Sequence, residues 1–456
     1  MSATTKRVGT NLTEGVIWKV LLTFAAPIIL TNVIQQLYSM VDLMIAGKFV
    51  GGAGTIGVST GGELSDFMTP VAMALASAGQ IYIAQLVGAR KMQEVKKTIG
   101  TLLSLSFLVS FVLMFGAVFF CDAFLHLMNC PELGFAQARG YLLITAVGYP
   151  FIFGYNAVCG VLRGMGESKR PLLFIIVAAT VNIFADLLLV AVIPLEAVGT
   201  AIATVLSQFG SFAAAFLFLY RRRESFDFEL KPRYFKIEPG AAKTIVKLAI
   251  PQLCRSLLVR VSMMYVNASC NNYGAVYSQT NSIGNKIQKF LEVFIQGFDT
   301  ASATMIGQNL GAKKYGRAQK TVWNMLWMSL LVAAGTSCLA WAVPRQMFAL
   351  FTNEEAVKDL GTVFLHIMTI HFFCSAFVSS FQSMVTGSGF VELGFGIGVL
   401  DGVICKIGFS LIFLNLLGIG ETSFWWGTAV SRFLPGCLCL WYFLSGRWKT
   451  RKMLSD

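Results

Sequence analysis

The sequence predicts an all-α polytopic membrane protein with twelve transmembrane helices in two pseudo-symmetric lobes of six. Its composition, its long apolar segments and an internal repeat all indicate this fold. Of the 456 residues, 55% are hydrophobic and only 13% are charged, and the mean hydropathy is +0.67. A soluble domain carries about 25% charged residues. This composition therefore weighs against a cytosolic enzyme, a nucleic-acid-binding domain and a disordered chain.

Twelve segments are long and apolar enough to span a bilayer, which takes about 20 mostly apolar residues. They lie at 17–47, 53–87, 99–120, 139–161, 171–193, 197–220, 244–272, 277–309, 321–343, 360–386, 393–416 and 423–445. Pro27 in the first span and Pro251 in the seventh each remove a backbone hydrogen bond and bend the helix. We therefore predict these two prolines to be conformational hinges.

Basic residues are distributed unevenly between the two sides of the predicted bundle. An even number of spans places both termini on one side, and 26 of the 36 Lys and Arg residues fall in the segments of that side. Four fall on the other side, namely Lys48, Arg139, Arg345 and Lys358. Cytoplasmic loops are enriched in Lys and Arg. We therefore predict a multi-pass plasma-membrane protein with both termini in the cytoplasm, and the net charge of +13 requires no nucleic-acid partner.

The two halves of the chain repeat one design. Pro27 and Pro251 are 224 residues apart, and AQLVGARK (84–91) matches GQNLGAKK (307–314) at an offset of 223. Halves of six spans share one orientation, as in parallel-repeat transporters whose two bundles alternate access to a central site. The predicted organisation is an N-terminal lobe at 1–220, a basic cytoplasmic linker at 221–240 and a C-terminal lobe at 241–456.

Polar residues inside the N-terminal half form a candidate site for a coupling ion. Asp42 lies in the first span and Asp186 in the fifth, and Asn182 lies one helical turn before Asp186 on the same face. Thr204 lies in the sixth span. This all-oxygen set suits a small hard cation such as Na⁺, and neighbouring buried carboxyl groups could equally carry a proton. No cofactor and no metal other than a sodium ion at this site are expected.

Asp42 also has a structural interpretation. It could cap a kink or a helix end near the outer face, close to Lys48. Because a charge inside a membrane is costly and usually functional, the ion-site interpretation is favoured for Asp42 and more strongly for Asp186.

The spans of the C-terminal half carry an excess of three positive charges. The basic residues are Arg255, Arg260, Lys286, Lys289, Lys406 and Arg432, and the acidic residues are Glu292, Asp299 and Asp401. One interpretation is structural pairing, Lys289 with Glu292 and Lys406 with Asp401. The other is a cleft that favours anionic or zwitterionic amphipathic solutes.

Candidate substrate contacts are side chains on helices expected to face a central cleft. Met and aromatic side chains there would form an adaptable apolar cavity. The predicted contacts are Gln35, Tyr38, Met73, Arg255, Met263, Lys286 and Lys289. The expected partners are an amphipathic small molecule and the lipid bilayer, and a monomer is expected.

Several segments together resemble the multidrug and toxic compound extrusion (MATE) transporters. The segment TEGVIWKVLLTFAAPIILTNVIQQLYSMVDLMIAGKFVG (13–51) resembles the opening of that family. The turns at 84–91 and 307–314 resemble those after its second and eighth helices. VNIFADLLLV (181–190) and GTAIATVLSQ (199–208) resemble its fifth and sixth helices. The resemblance implies the MATE fold and export of drugs or toxic compounds by antiport, driven by inward flow of H⁺ or Na⁺.

The resemblance also concerns individual residues. Asp42, Asn182, Asp186 and Thr204 match the N-lobe cation site of DinF-like and related prokaryotic members, and Pro27 matches the proline of the first helix. The seventh span lacks the Glu of the NorM-like and eukaryotic branches, so the chain is closer to the DinF-like branch. Two alternatives stay open: a flippase for lipid-linked oligosaccharides or polysaccharides, and a non-transporting membrane scaffold or channel. No arrangement of catalytic residues predicts an enzyme.

Overall fold

The computed structural model describes residues 9–221 and 235–455, apart from the side chains of Leu43 and Asp66. Most of the predicted linker, 222–234, lies outside the described residues. The described chain contains helices and no strand, so the predicted all-α architecture is confirmed.

The first half of the chain folds into long helices joined by short turns. Their bounds are α1 Ile17–Phe49, α2 Gly52–Gly88, α3 Met92–Phe119, α4 Cys121–Leu127, α5 Glu132–Val147, α6 Tyr149–Gly164, α7 Lys169–Asp186 and α8 Glu196–Arg221. The pair α5 and α6 is bent by 41°. Helix α7 continues directly into a π-helical turn, Leu187–Val192.

The second half follows the same plan with more interruptions. Its helices are α9 Pro239–Asn271, α10 Ala275–Gly311, α11 Tyr315–Ala342, α12 Pro344–Ala349, α13 Glu355–Ser388, α14 Val391–Val399, α15 Lys406–Asn415, α16 Ser423–Val430, α17 Phe433–Ser445 and α18 Arg447–Thr450. A π-helical turn, Leu400–Cys405, joins α14 to α15, and a 3₁₀ turn, Gly420–Thr422, precedes α16.

Each of the twelve predicted spans coincides with a helix or with consecutive helices in the described chain. By length and composition alone, eight of the described helical segments could cross a membrane, or nine when the bent pair α5–α6 is one span. Helices α9 and α10 are long enough but carry several charged residues, and α16 and α17 are each short. The second half is therefore the more polar and more broken copy of the repeat.

The lengths of corresponding helices confirm the internal repeat. Helices α1 and α9 have 33 residues each, α2 and α10 have 37, and α3 and α11 have 28. The turns after α2 and α10 also match, because Arg90 and Lys313 both adopt the left-handed backbone region, with φ of 59° and 57°. A side chain is disfavoured in that region, so its recurrence shows that one turn geometry has been kept twice.

The described residues form two compact units that exchange short segments of chain. The first unit contains 9–11, 30–221 and 235–249, and the second contains 12–29 and 250–455. The division crosses α1 just after Pro27 and α9 just before Pro251. The predicted lobes follow the sequence, whereas these units exchange the opening segments of α1 and α9.

Apolar packing holds the opening segment of α1 in the second unit. Its buried side chains share one core with residues of α10 and α11: Leu12, Leu21, Phe24, Ala25 and Ile28 with Phe298, Ala301, Met305 and Met325. A Cβ atom at Gly297 of α10 would overlap Ile29, so glycine permits the close approach of the two helices.

Hydrogen bonds anchor the same segment where α10 ends and α11 begins. Asn309 donates to the Leu12 carbonyl oxygen (3.2 Å), and Arg317 donates to the carbonyl oxygens of Glu14 (2.7 Å) and Gly15 (2.6 Å). The repeat motif GQNLGAKK therefore lies beside the opening segment that it helps to hold.

The segment that leads into α9 is held in the first unit by α3. Ser104 donates to the carbonyl oxygen of Phe235 (2.6 Å), and the backbone N–H of Glu238 donates to the hydroxyl of Thr101 (3.1 Å). Each unit thus holds the start of one proline-containing helix through polar contacts.

Candidate functional site

The second part of α1 packs against the chain that follows α7. Ile45, Ala46 and Val50 of α1 form a small core with Val190, which lies in the π-helical turn after α7. This packing explains how Asp42, on α1, comes within electrostatic range of Asp186, the last residue of α7.

The residues of the predicted ion site lie on three neighbouring elements of the first unit. Asn182 and Asp186 are buried, with 2% and 0% of their surface exposed. Helix α7 packs against α8, which carries the half-buried Thr204. The Thr204 hydroxyl donates to the Thr200 carbonyl oxygen (2.8 Å), which leaves its oxygen free to accept. Because π-helical turns often mark functional positions, the turn after Asp186 supports the assignment of a site there.

Unsatisfied oxygens distinguish this region from an ordinary polar patch. Four side-chain oxygens are buried without a hydrogen-bond partner among the described residues: Oδ1 of Asp42, Oδ1 of Asn182, and Oδ1 and Oδ2 of Asp186. Buried polar atoms normally have a partner, and an unpartnered buried carboxylate is especially costly. A bound proton or a sodium ion would offset that cost, and the residues present fit both.

The structural alternative for Asp42 receives no support from its surroundings. Lys48, the basic residue nearest to it in sequence, has its ammonium group 5.5 Å from the centre of the Phe49 ring. The ionisable side chain that influences Asp42 is that of Asp186, another acidic residue. Tyr38 lies one turn earlier on α1, within electrostatic range of Asp42. Asp42 thus lies near Asp186, one of the residues that the sequence assigned to the same ion site.

The predicted substrate contacts of the first unit lie in different surroundings. Gln35 and Ser39 lie close to the Tyr38 side chain, which is also within electrostatic range of Asp42. Gln35 and Tyr38 are therefore next to the Asp42 region. Met73 of α2 is 55% exposed. The roles of all three in substrate binding remain predictions.

The second unit contains a buried network of charged residues from distant parts of the chain. The Glu292 carboxylate of α10 accepts hydrogen bonds from Arg432, which follows α16, and from Ser375 of α13 (2.6 Å). His371 Nε2 lies 3.0 Å from the same carboxylate oxygen, Oε1. His371 Nδ1 donates to the Thr428 carbonyl oxygen of α16 (3.2 Å). This network joins α10, α13 and the α16–α17 region.

Asp401, in the π-helical turn between α14 and α15, forms the other end of this network. Arg255 of α9 donates to Asp401 Oδ2 (3.1 Å), and Arg432 Nε lies 3.9 Å from Asp401 Oδ1. Asp299 lies within electrostatic range of both arginines, although its buried Oδ1 has no hydrogen-bond partner among the described residues.

The sequence-based pairing in this half was wrong in both cases. Glu292 pairs with Arg432 and lies 3.0 Å from His371 Nε2 rather than pairing with Lys289, and Asp401 pairs with Arg255 rather than Lys406. Residues close in sequence were expected to pair, but the fold places partners from other helices nearer. Ser375 was missed altogether, and only the density of charges inside the spans indicated that such a network exists.

The predicted substrate contacts of the second unit differ in accessibility. Lys286 and Lys289 are exposed on α10, and Met263 is half-buried on α9. The Arg255 side chain keeps 27% of its surface exposed despite its ion pair. These four residues therefore range from solvent-accessible to partly enclosed.

Comparison with known proteins gives consistent matches over most of the chain. The MatE family model matches residues 27–188 and 251–412. The probable multidrug resistance protein YpnP of Bacillus subtilis is 25% identical over 98% of this chain and 99% of its own. The probable multidrug resistance protein YoeA of the same organism is 26% identical over 74% of each chain.

A solved structure shows the same fold. An outward-facing multidrug resistance MATE family transporter of the MOP superfamily superposes with a TM-score of 0.92, at 19% identity, over 99% of this chain and all of its own. This match confirms the predicted fold class, and the family model covers both halves of the repeat. The chain therefore belongs to the MatE family, the MATE transporters, and is a multi-pass membrane transporter rather than an enzyme.

Proposed function

We propose that this protein is a secondary active antiporter that exports amphipathic small molecules by alternating access, driven by inward flow of H⁺ or Na⁺. The relatives named as multidrug resistance proteins support drug-like or toxic substrates. The observation that carries the coupling mechanism is the group of four unsatisfied, buried oxygens on Asp42, Asn182 and Asp186.

The charge of this group explains how ion binding could drive a conformational change. Two carboxylates in one buried region repel each other and lack compensating donors, so the ion-free site is unfavourable while it stays closed. A proton or a sodium ion removes that penalty. The protein would therefore favour different states with and without the ion, and differential binding of this kind can shift a conformational equilibrium.

The membrane potential can supply the required energy. One elementary charge that crosses about 100 mV yields roughly 2.3 kcal/mol. That energy shifts an equilibrium by about 50-fold. Inward movement of the ion bound at Asp42 and Asp186 would thus bias a cycle that releases substrate on the opposite side.

The proline positions support a hinge role. The chain passes from one compact unit to the other just after Pro27 and just before Pro251. A proline inside a helix leaves a backbone carbonyl without its usual donor and permits bending. We propose that α1 and α9 bend at these residues during the cycle.

The location and assembly follow from the distribution of charge in the sequence. We propose that the transporter lies in the plasma membrane as a monomer, with both termini in the cytoplasm. The excess of Lys and Arg in the segments of one side supports this orientation. Protease accessibility of a tag added to either terminus, in sealed right-side-out vesicles, would measure it directly. Cleavage without lysis would contradict a cytoplasmic terminus.

Transport of rhodamine 123 into proteoliposomes under an imposed gradient tests the coupling site. We expect accumulation by the native protein and none by Asp42→Asn or Asp186→Asn. Asp122→Asn is the matched control, because Asp122 is an exposed residue paired with Arg139 (2.7 Å). Separate proton and sodium gradients identify the coupling ion. Intact gradient-driven transport by both site variants would refute the proposal.

The same vesicles distinguish the alternatives that the sequence leaves open. A flippase would move a fluorescent lipid-linked sugar between leaflets and would not accumulate a soluble dye. A channel would let the dye equilibrate without accumulation against its gradient, and a scaffold would not move it.

A further inference from the structure

The charged network of the second unit contains more basic than acidic side chains. Each member lies within electrostatic range of at least one other: Arg255, Lys289, Lys406 and Arg432 on the basic side, and Glu292, Asp299 and Asp401 on the acidic side. With His371 left out of the count, four basic and three acidic side chains leave one positive charge over in the network.

The acidic groups of the network are committed to partners other than Lys406. Glu292 accepts from Ser375 and Arg432 and lies 3.0 Å from His371 Nε2. Asp401 accepts from Arg255. Asp299, the third carboxylate, lies near the two arginines. The two arginines are thus largely neutralised by the protein itself.

Lys406 is the group that remains without an acidic partner at hydrogen-bond distance. It begins α15 and is only 7% exposed. Its Nζ atom contacts the Met263 sulfur at 3.5 Å and makes no ion pair with any residue that the structure describes. An ammonium group can donate three hydrogen bonds, and a thioether is a weak acceptor. Asp401 and Glu292 lie within electrostatic range of Lys406, but neither accepts a hydrogen bond from it. A buried ammonium group without a strong acceptor is unfavourable unless a ligand completes it.

Partly exposed side chains of the second unit lie near Lys406. Lys289 is exposed and lies within electrostatic range of Lys406. Met263, the contact of Lys406, is half-buried, and the Arg432 side chain is 22% exposed. Positive charge thus extends from an accessible lysine to an enclosed one, beside an adaptable apolar side chain.

We propose that Lys406 anchors an anion site in the second unit, whose ligand is the carboxylate, sulfonate or phosphate group of an amphipathic solute. This inference rests on the proposed export function, because the anionic group belongs to the transported molecule. Lys289 attracts the anion electrostatically and Met263 contacts the apolar part of the solute. Arg255 contributes less than the sequence suggested, since Asp401 already binds it.

Two dyes of similar ring system and opposite charge test the site. Fluorescein is anionic and rhodamine 123 is cationic, and both report binding to the purified protein in lipid nanodiscs by fluorescence anisotropy without any ion gradient. Loss of one charge-assisted hydrogen bond weakens binding by roughly 10- to 100-fold. We expect Lys406→Gln to weaken fluorescein binding by that factor and to leave rhodamine 123 binding within about twofold.

Matched lysines separate a specific effect from a general loss of positive charge. Lys320→Gln removes an exposed lysine from α11, outside the electrostatic group around Lys406, and should leave fluorescein binding unchanged. Lys406→Arg retains the charge and should keep binding within a few-fold, which also shows that position 406 tolerates substitution. Size-exclusion profiles confirm that each variant is folded.

The anion site is overturned if fluorescein binds the Lys406→Gln variant as tightly as it binds the native protein. It is also overturned if the substitution weakens the binding of fluorescein and rhodamine 123 equally. Competition then identifies the source of the anion. Displacement of fluorescein by farnesyl pyrophosphate alone assigns a lipid pyrophosphate, and displacement by decanoate assigns a soluble amphipathic anion. Displacement by neither overturns the site. Because no gradient is used, these results are independent of the coupling mechanism, which the Asp186→Asn transport assay tests.

Discussion

The two compact units are built from matching helices but treat buried acidic groups in opposite ways. In the first unit, carboxylate oxygens of Asp42 and Asp186 have no hydrogen-bond partner among the described residues. In the second, Glu292 and Asp401 are bonded to arginines, and Asp299, whose Oδ1 lacks a described hydrogen-bond partner, lies within electrostatic range of two arginines. A carboxylate without a fixed partner can exchange a small cation, whereas one held by arginine cannot do so cheaply. The duplicated fold thus supports one unit suited to ion exchange and one with fixed charges.

The largest expected effect breaks the paired charges of the second unit. Glu292→Ala leaves the half-buried Arg432 without its main partner, and removal of one member of a buried pair costs about 3–5 kcal/mol. Thermal unfolding in detergent measures the loss. The control is Glu355→Ala, which removes the exposed ion pair between Arg345 and Glu355. Surface pairs contribute at most about 1 kcal/mol to stability. Equal effects for both pairs would show that the buried network is not structural.

The next prediction concerns the first unit, where removal of an acidic group should impair transport and should not lower stability. Asp186→Asn removes a carboxylate that lacks fixed partners, so we expect thermal stability to be unchanged or higher. Loss of one coupled charge should lower the accumulation ratio at 100 mV by about 50-fold. Dye accumulation and unfolding temperature measured on the same preparation check both parts. A large drop in stability would indicate that Asp186 is structural instead.

A smaller effect tests whether both halves bend. Pro27→Ala and Pro251→Ala each restore a helical hydrogen bond worth about 1 kcal/mol, enough to shift a bending equilibrium by about fivefold. We expect each variant to slow transport several-fold without a change in dye affinity. Initial rates of dye transport into proteoliposomes, measured for each variant and for the native protein, test this prediction. Slowing by only one of the two substitutions would confine the hinge to that half.

The smallest effect concerns the turns that the halves share. Arg90→Gly and Lys313→Gly relieve a left-handed backbone conformation, but glycine costs more entropy on folding. The net stabilisation should be about 0.5 kcal/mol at each turn. Matching small increases in unfolding temperature would confirm that the two turns remain equivalent. A decrease at either position would mean that its side chain stabilises the turn.

Much of the fold could be predicted because its signals are local or periodic. Long apolar segments indicate spans whatever packs around them, and the offset of 223–224 residues between Pro27 and Pro251 or Gln85 and Gln308 shows the duplication. The π-helical turns beside Asp186 and Asp401 could not be read in this way, because they depend on how α7 and α14 pack. Sequence also could not show that residues 12–29 belong to the second unit, because that depends on how α1 packs.

The candidate sites were predictable to different degrees for the same reason. Asp42 and Asp186 stand out as acidic residues in apolar segments, so composition was enough to single them out. Composition could not identify the partners of Glu292, because Ser375 and Arg432 are 83 and 140 residues away along the chain. Sequence proximity favoured Lys289, and only tertiary structure selects the actual partner.

The exchanged opening segments have a consequence for synthesis and assembly. As the chain emerges from the ribosome, residues 12–29 appear before α10 and α11, the helices with which they share a core, have been made. The first unit likewise awaits 235–249, which follow the whole N-terminal half. We therefore expect that neither half reaches its folded state by itself. A gene divided between α8 and α9 should yield functional protein only when both fragments are produced in the same cell.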